Sequence, residues 1–345
     1  MIYEDLHSAL SKILSSYEPD QVCFVVDEQV RGIIEANKGL IGIKCCTLSV
    51  SESEKTLETV QKIWDFFFSI GLTRRGVVVA IGGGVLTDLV GFAAATYKRG
   101  VDYINVPTTL LAMVDASTGG KTGFNYHGLK NSIGVFAPPV ETLIWPGWLQ
   151  TLPAKEMLNG FAEMLKTGLI ESSTLWHDLL NYDLEAMPLE ELTPLIRRCV
   201  EVKEAIVAAD PKEEGLRKVL NFGHTFGHAL EELSHAQAHP GVEPLDHGYA
   251  VLYGMIAELY LSVTKLGCER EVLQQLTQIM LHTYGKPACK CSDRERLIAL
   301  MKQDKKNERA AEINVTLLRA VGSPVVNQTI TADEADEAWE YLFSL

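Results

Sequence analysis

The chain has 345 residues, 47% of them apolar and 22% charged, which is the composition of an ordinary globular protein and excludes a disordered, collagen-like or low-complexity chain. The formal net charge of −14 argues against a nucleic-acid binder or a polybasic membrane adaptor, so the positive groups for any anionic ligand must be concentrated locally. Seven scattered cysteines suit a reducing, cytoplasmic setting better than a disulfide scaffold, and Cys45, Cys46, Cys289 and Cys291 read as structural despite a Cys-x-Cys spacing. No signal pattern opens the chain, and its longest apolar stretch, about Val77 to Ala95, is broken by glycines and Asp88, so no membrane span is expected.

In chain order, short β-rich runs come first: Gln21–Val26, Ile43–Val50, Gly76–Ile81, Asp102–Val106 and Thr142–Trp145. Helical spacing lies between them, as in Leu57, Val60, Ile63, Trp64 and Phe67. Near-continuous apolar strands alternating with helices predict a parallel sheet covered by helices on both faces, an α/β Rossmann-like domain over residues 1–150. From 151 to 345 the pattern is predominantly helical. Helical periods fit Ala154–Ile170, Glu190–Ala209, Leu216–Ser234 and Gly248–Leu266, and Thr331-x-x-Glu334 is a capping-box signature before a final helix. One β-like run, Glu312–Val321, interrupts this half. The expected architecture is an α/β domain followed by an all-α domain, with a ligand site in the cleft between them.

Two glycine-rich stretches invite familiar readings. Ile81-Gly-Gly-Gly-Val-Leu-Thr-Asp88 follows a strand and opens a helix, the context of a phosphate-cradling turn, although Thr87 breaks the G-x-G-x-x-G fingerprint. Three consecutive glycines require a close backbone approach, either to a dinucleotide pyrophosphate or to a packed helix. Asp115-Ala-Ser-Thr-Gly-Gly-Lys121-Thr122 mimics a P-loop, but Asp115 replaces its first glycine and would repel a triphosphate.

The most informative segment is 215–231. Arg217, Asn221, His224 and His228 follow one another at spacings of four, three and four, which on one helix makes a single polar stripe. Gly223 and Gly227, one turn apart, cost helix propensity unless another backbone packs there. The stripe is either a polar ligand site or a structural network. Five of the nine histidines fall between 224 and 247. His224 and His228 suit zinc on a helix, but Thr225 stands where H-E-x-x-H has glutamate, and His247 at a helix start is a further candidate ligand. A catalytic zinc with two histidines would need a carboxylate, and Glu163, in an apolar helix, is plausible. Lys166, three residues on, makes a plain salt bridge the competing reading.

These residues resemble the 3-dehydroquinate synthases, members of the sugar phosphate cyclases. The resemblance rests on GGGVLTDLVGFAAATYKRG (82–100), VPTTLLAMVDASTGGKTGFN (106–125), LKNSIG (129–134), GFAEMLKTGLI (160–170), LRKVLNFGHTFGHALE (216–231), HGYAV (247–251) and DKKN (304–307). It implies NAD and Zn2+ (or Co2+) as cofactors, with Glu163, His224 and His247 as metal ligands and His228 turned to the substrate. It also implies active-site roles for Asp115, Lys121, Asn131, Lys166, Lys203, Arg217, Asn221 and Lys305 or Lys306, and a homodimer in which Arg99 crosses to the partner. For NAD it implies Gly83, Gly84, Asp88, Thr108 and Thr109 at the pyrophosphate turn, Asp27, Glu52 and Lys55 towards the adenosine, and contacts from Lys121, Lys130 and Thr151. The implied reaction turns 3-deoxy-D-arabino-heptulosonate 7-phosphate into 3-dehydroquinate and phosphate through transient oxidation, β-elimination, re-reduction and aldol closure. The alternatives are another sugar phosphate cyclase, one acting on an aminated substrate included, or a metal-dependent polyol dehydrogenase. Departures from the family pattern are Leu129, the stretch Ala236–Asp246, and Tyr249, which stands where glutamate is usual and puts a carboxylate beside the metal in question.

Overall fold

A computed structural model describes residues 1–36, 44–127, 129–238, 243–288, 291–303 and 312–345. The chain divides into two compact units, 1–157 and 158–345.

In the first unit, α1 (Leu6–Leu14) precedes β1 (Val22–Asp27), α2 (Glu28–Ala36), β2 (Lys44–Leu48), α3 (Leu57–Ser69), β3 (Val77–Gly82), α4 (Gly84–Thr96) and β4 (Asp102–Pro107). A hairpin of β5 (Lys121–Tyr126) and β6 (Leu129–Phe136) follows, then the short β7 (Glu141–Thr142). The main sheet has the order β2-β1-β3-β4-β7, and all its pairs are parallel. Every residue of β1 and β3 is buried, as expected of strands covered on both faces. Val25, Val78, Ala80, Ile63 and Phe67 meet in the core with no exposed surface. Because β1 has β2 on one side and β3 on the other, the winding reverses between β1 and β3, and a crevice opens at their carboxyl ends.

One expectation is corrected in this unit, and one element falls outside the sequence pattern. The run at 142–145 contributes only Thr142 to a strand, because after Leu143, whose N–H still donates to Asn105 O of β4, the chain turns to its own start: Tyr3 N–H donates to Ile144 O and Ile144 N–H to Met1 O before Pro146. The hairpin β5–β6 escapes the apolar pattern because seven of the eight β6 residues are exposed. It is docked on α4, where Phe92 meets Phe124 edge-on at 5.1 Å between ring centroids.

The second unit begins within α5 (Ala154–Glu171) and continues through α6 (Ser173–Leu180), α7 (Leu189–Ala209), α8 (His224–Gln237), α9 (His247–Leu266), α10 (Arg270–Ile279), α11 (Arg294–Gln303) and α12 (Ala332–Ser344). The β-like run is the first strand of a hairpin, β8 (Ile313–Leu318) with β9 (Pro324–Ile330). The capping box of α12 is complete: Glu334 N–H donates to Thr331 Oγ1 at 3.1 Å, and Thr331 N–H to Glu334 Oε2 at 2.8 Å.

The predicted continuous helix 216–234 is not formed. Residues Leu216–Asn221 make a 3-10 turn, Phe222 is extended, Gly223 takes a left-handed conformation with φ 81°, and α8 starts at His224. Arg217 and Asn221 therefore lie on a separate turn from His224 and His228. The expectation that another backbone packs on the glycines is met, since a Cβ on Gly227 would stand 2.9 Å from Ala250 O on α9.

Candidate functional site

Three helices of the second unit deliver one side chain each to a common point. Glu163 comes from α5, His224 from the first residue of α8, and His247 from the first residue of α9. Their ligand atoms lie within 4.8 Å of one another. Glu163 Oε1 is 3.6 Å from His224 Nε2 and 3.4 Å from His247 Nε2. The helix starts are fixed by backbone bonds. Gly248 N–H donates to Asn159 Oδ1 at 2.6 Å, and Asn159 sits one turn before Glu163 on α5, so the bond that seats α9 also brings His247 to the carboxylate. A side chain at 248 would collide with Asn159 O.

Both imidazoles are oriented from behind. His224 Nδ1 lies 3.1 Å from Phe222 O, and His247 Nδ1 lies 3.4 Å from Glu231 Oε2. Each ring thus turns Nε2 towards Glu163, the arrangement in which an outer carbonyl or carboxylate sets the tautomer of a metal-binding histidine. Two imidazoles and a carboxylate are the donor set of a catalytic zinc or cobalt site, and these three residues fit such an ion. Glu231 was not singled out by the sequence reading. The signal was available: it lies three residues after His228 and seven after His224, on the same helical face. It also answers the doubt raised by Tyr249, since a buried carboxylate does stand beside His247, supplied by α8. The Tyr249 ring instead packs edge-on against Tyr284.

Burial alone would lower the His247 pKa, but the Glu231 carboxylate on one side and Glu163 on the other outweigh it and push it up to about 10. Lys166 is buried and ion-paired with Glu163 Oε2, so the salt bridge and the triad coexist on one carboxylate. His228 joins the cluster with its ring centroid 5.4 Å from that of His224 and 6.0 Å from that of His247.

Arg217 and Asn221 contact the preceding loop: Arg217 Nη1 donates to Pro211 O at 2.8 Å, and Asn221 Nδ2 to Glu213 Oε1 at 2.9 Å. Lys203 is buried on α7. Lys305 and Lys306 lie outside the described residues, as do Cys289, the side chain of Cys291, and positions 239–242 of the stretch before His247.

In the first unit, β3 runs into α4 through Gly83, which occupies the cap position with no side-chain cap, at the crevice between β1 and β3. A Cβ at Gly84 would stand 2.9 Å from Ala116 Cβ, so packing accounts for that glycine. At Gly83 it would enter the space before Thr109, at 3.3 Å from Cγ2. A helix start with bare N–H groups at a switch point, and a cradle that a side chain would fill, fit a dinucleotide pyrophosphate. Thr108 is buried, with its N–H donating to Gly82 O at 3.0 Å. Asp27 ends β1, and burial raises the pKa of its carboxyl despite the Gln29 N–H bond that opposes the shift.

A polar network adjoins this turn. Lys55, 4% exposed, donates at 2.6 Å to both Asp88 Oδ2 and Asn131 Oδ1. Asn131 N–H donates to Asn125 Oδ1, Asn125 Nδ2 donates to Glu52 Oε1, and Lys130 Nζ lies 3.7 Å from that same carboxylate oxygen. Glu52, Lys55, Asp88, Lys130 and Asn131 are therefore brought together, with Asn131 held at φ 48°. Asp115 is half-buried in the turn 112–116, and Lys121 is exposed at the start of β5. Thr151 bonds locally to Trp148 O, and Arg99 is exposed with φ 68°.

Comparison with known proteins gives consistent results over the whole chain. The family described as 3-dehydroquinate synthase N-terminal matches residues 45–159, and 3-dehydroquinate synthase C-terminal matches residues 160–307. A 3-dehydroquinate synthase of Parabacteroides distasonis is 39% identical over 345 residues, covering 99% of this chain and 96% of that protein. Among solved structures, the 2-epi-5-epi-valiolone synthase of Streptomyces hygroscopicus subsp. jinggangensis, with NAD+ and Zn2+ bound, superposes with a TM-score of 0.84 at 30% identity, over 100% of this chain and 96% of that one. A 2-deoxy-scyllo-inosose synthase complexed with carbaglucose-6-phosphate, NAD+ and Co2+ shares the fold, with a TM-score of 0.81 at 22% identity and coverage of 97% and 94%.

Proposed function

This chain belongs to the 3-dehydroquinate synthase family, and from that premise we propose that it is a carbon–oxygen lyase that converts 3-deoxy-D-arabino-heptulosonate 7-phosphate into 3-dehydroquinate and phosphate. The observation that carries this reading is the convergence of Glu163, His224 and His247, with each imidazole oriented by its own support, in a chain that also keeps a glycine turn at a switch point.

Two groups complete the proposed chemistry. Gly83, Gly84, Asp88, Thr108, Thr109, Asp27, Glu52, Lys55, Lys121, Lys130 and Thr151 would hold NAD, which when bound would supply a reversible hydride acceptor. Glu163, His224 and His247 would hold Zn2+ or Co2+, which when bound would supply Lewis acidity towards a substrate hydroxyl. The protein's own groups do the rest. Lys166, already bonded to Glu163, places a positive charge beside the metal ligands. His228 stands next to both histidines of the cluster, where it would exchange a proton with a substrate hydroxyl. Lys203, Arg217 and Asn221 in the second unit, and Lys121 and Asn131 in the first, would provide charge and hydrogen bonds for a substrate bearing carboxylate and phosphate, which would account for anion binding by a protein of net charge −14. Asp115 is assigned to the active site as well. Arg99, exposed in the left-handed run 98–100, is offered to the partner of a homodimer.

A cytoplasmic setting is part of this proposal, in keeping with seven scattered cysteines in the sequence. Among the described residues no helix is long and apolar enough to cross a membrane.

The test is a turnover assay with the heptulosonate phosphate, Zn2+ and NAD at a small fraction of the substrate. Phosphate and carbocycle released in amounts far above the NAD supplied, without accumulating NADH, support the proposal. NADH accumulating in step with substrate loss would instead indicate a polyol dehydrogenase. Turnover of sedoheptulose 7-phosphate in preference to the heptulosonate would indicate a sister cyclase.

A further inference from the structure

Glu258 is a fully buried carboxylate on α9 with no part in the chemistry above. Its Oε2 accepts the N–H of Gly223 at 2.7 Å. Gly223 is the left-handed residue between the turn 216–221 and α8, so this bond falls on the Phe222–Gly223 peptide, one residue before His224. One turn earlier on α9 lies Gly254. A Cβ there would collide with Gly223 O and stand 2.6 Å from Gly227 N. Helix α9 therefore grips residue 223 at two points four residues apart: Gly254 makes room for its carbonyl, and Glu258 binds its N–H. The other support of His224, the contact of its Nδ1 with Phe222 O, uses the carbonyl of this same peptide. Residue 258 is itself held in place. Ser262 Oγ donates to Glu258 O at 2.7 Å and accepts from Leu318 N–H at 2.9 Å, tying this part of α9 to β8. The carboxylate faces the positive end of α8, which offsets part of the cost of burying its charge.

We infer that Glu258 is a positioning residue for the cation site: by fixing the Gly223 peptide it sets the direction in which His224 Nε2 points. The same helix carries His247 in its first turn, so α9 presents one ligand and aims another. This inference rests on the metal reading of the Glu163, His224 and His247 cluster. A carboxylate that only stabilised the fold would leave ligand geometry unchanged once the protein had folded.

The test uses full-length protein stripped of metal and titrated with Co2+, whose visible absorption reports ligand geometry, in the parent and in Glu258→Ala, Glu258→Gln and Glu258→Asp. Removal of the acceptor in Glu258→Ala should weaken Co2+ binding tenfold or more and alter its visible bands, with NAD affinity unchanged. Glu258→Gln keeps an oxygen acceptor of the same reach and should return to within about threefold of the parent, with the parent's spectrum. Hydrogen exchange at residues 223–227 in the metal-free protein should speed up in Glu258→Ala only. A folded Glu258→Ala with the parent's affinity and spectrum overturns the inference, as does a Glu258→Gln that is as impaired as the alanine variant. If Glu258→Ala fails to fold, Glu258→Asp decides, because its acceptor is withdrawn by one methylene: an unchanged spectrum overturns the inference and a changed one supports it. A parent that takes up no Co2+ refutes the metal reading itself, and the inference falls with it.

Discussion

The two candidate binding regions of this protein are built on opposite principles. In the first unit the dinucleotide turn is local: β3, Gly83 and α4 are consecutive, and the groups offered to the ligand are mostly backbone N–H at a helix start. In the second unit the candidate cation cluster is assembled from residues 163, 224 and 247, all of them side chains, and each imidazole is oriented by a second residue. The local turn tolerates most changes that respect its glycines. The assembled cluster depends on two helix starts and the middle of α5 holding their places at once, so its failures should be sharper.

The largest expected effect breaks the cluster and leaves the turn alone. His224→Ala should reduce metal affinity by at least a hundredfold and abolish turnover while leaving NAD affinity within about twofold of the parent. Calorimetric titration of each ligand checks this, and equal loss of both would remove the contrast between the two regions. Glu231→Gln keeps the shape but removes the carboxylate behind His247, and should cost about 10–100-fold in metal affinity. A variant that retains the parent's affinity would show that His247 needs no orienting charge.

The pH dependence of metal binding sharpens the same point. In the metal-free protein His247 holds its proton up to about pH 10, and only the neutral ring can ligate a metal. Metal binding at pH 7–9 should therefore release a proton from this residue, with apparent affinity rising by up to about tenfold per pH unit across that range. Titrations in buffers of different ionisation enthalpy measure the proton count. Glu231→Gln, which removes the first of the upward influences on His247, should flatten the slope.

On the other side of the comparison, Lys55→Ala should weaken NAD binding by about tenfold, since it removes the bonds to Asp88 and Asn131, and should leave metal affinity unchanged. The smallest effect lies far from both regions. Thr331→Ala removes the cap of α12 and should lower stability by about 1 kcal/mol with neither ligand affected, as thermal unfolding in the presence and absence of NAD and metal would show.

The contrast also explains what could be read from the chain alone. The parallel strands stand out because burial on both faces makes Val22–Asp27 and Val77–Gly82 almost wholly apolar, and the turn after β3 is contiguous with them. The hairpin β5–β6 is invisible to the same reading, since its exposed second strand carries no burial pattern. The stripe through Arg217, Asn221, His224 and His228 was drawn on one helix. Periodicity could not anticipate the break, because its causes, Gly254 and Glu258, lie more than thirty residues further along the chain. Glu231 sat on the correct face of α8, but its role depends on His247 arriving from another helix.

Residue order alone determined the α/β unit followed by a mainly helical one, the glycine turn and the residue types for a cation site, because helix and strand periods, caps and strand–turn–helix junctions are short-range properties of the chain. Tertiary packing decided that α8 begins at His224, that Glu231 stands behind His247, and that Glu163 meets both imidazoles. Those facts depend on how closely separate helices approach one another, which is governed by missing side chains at Gly248 and Gly254 and by buried bonds between residues far apart in the chain.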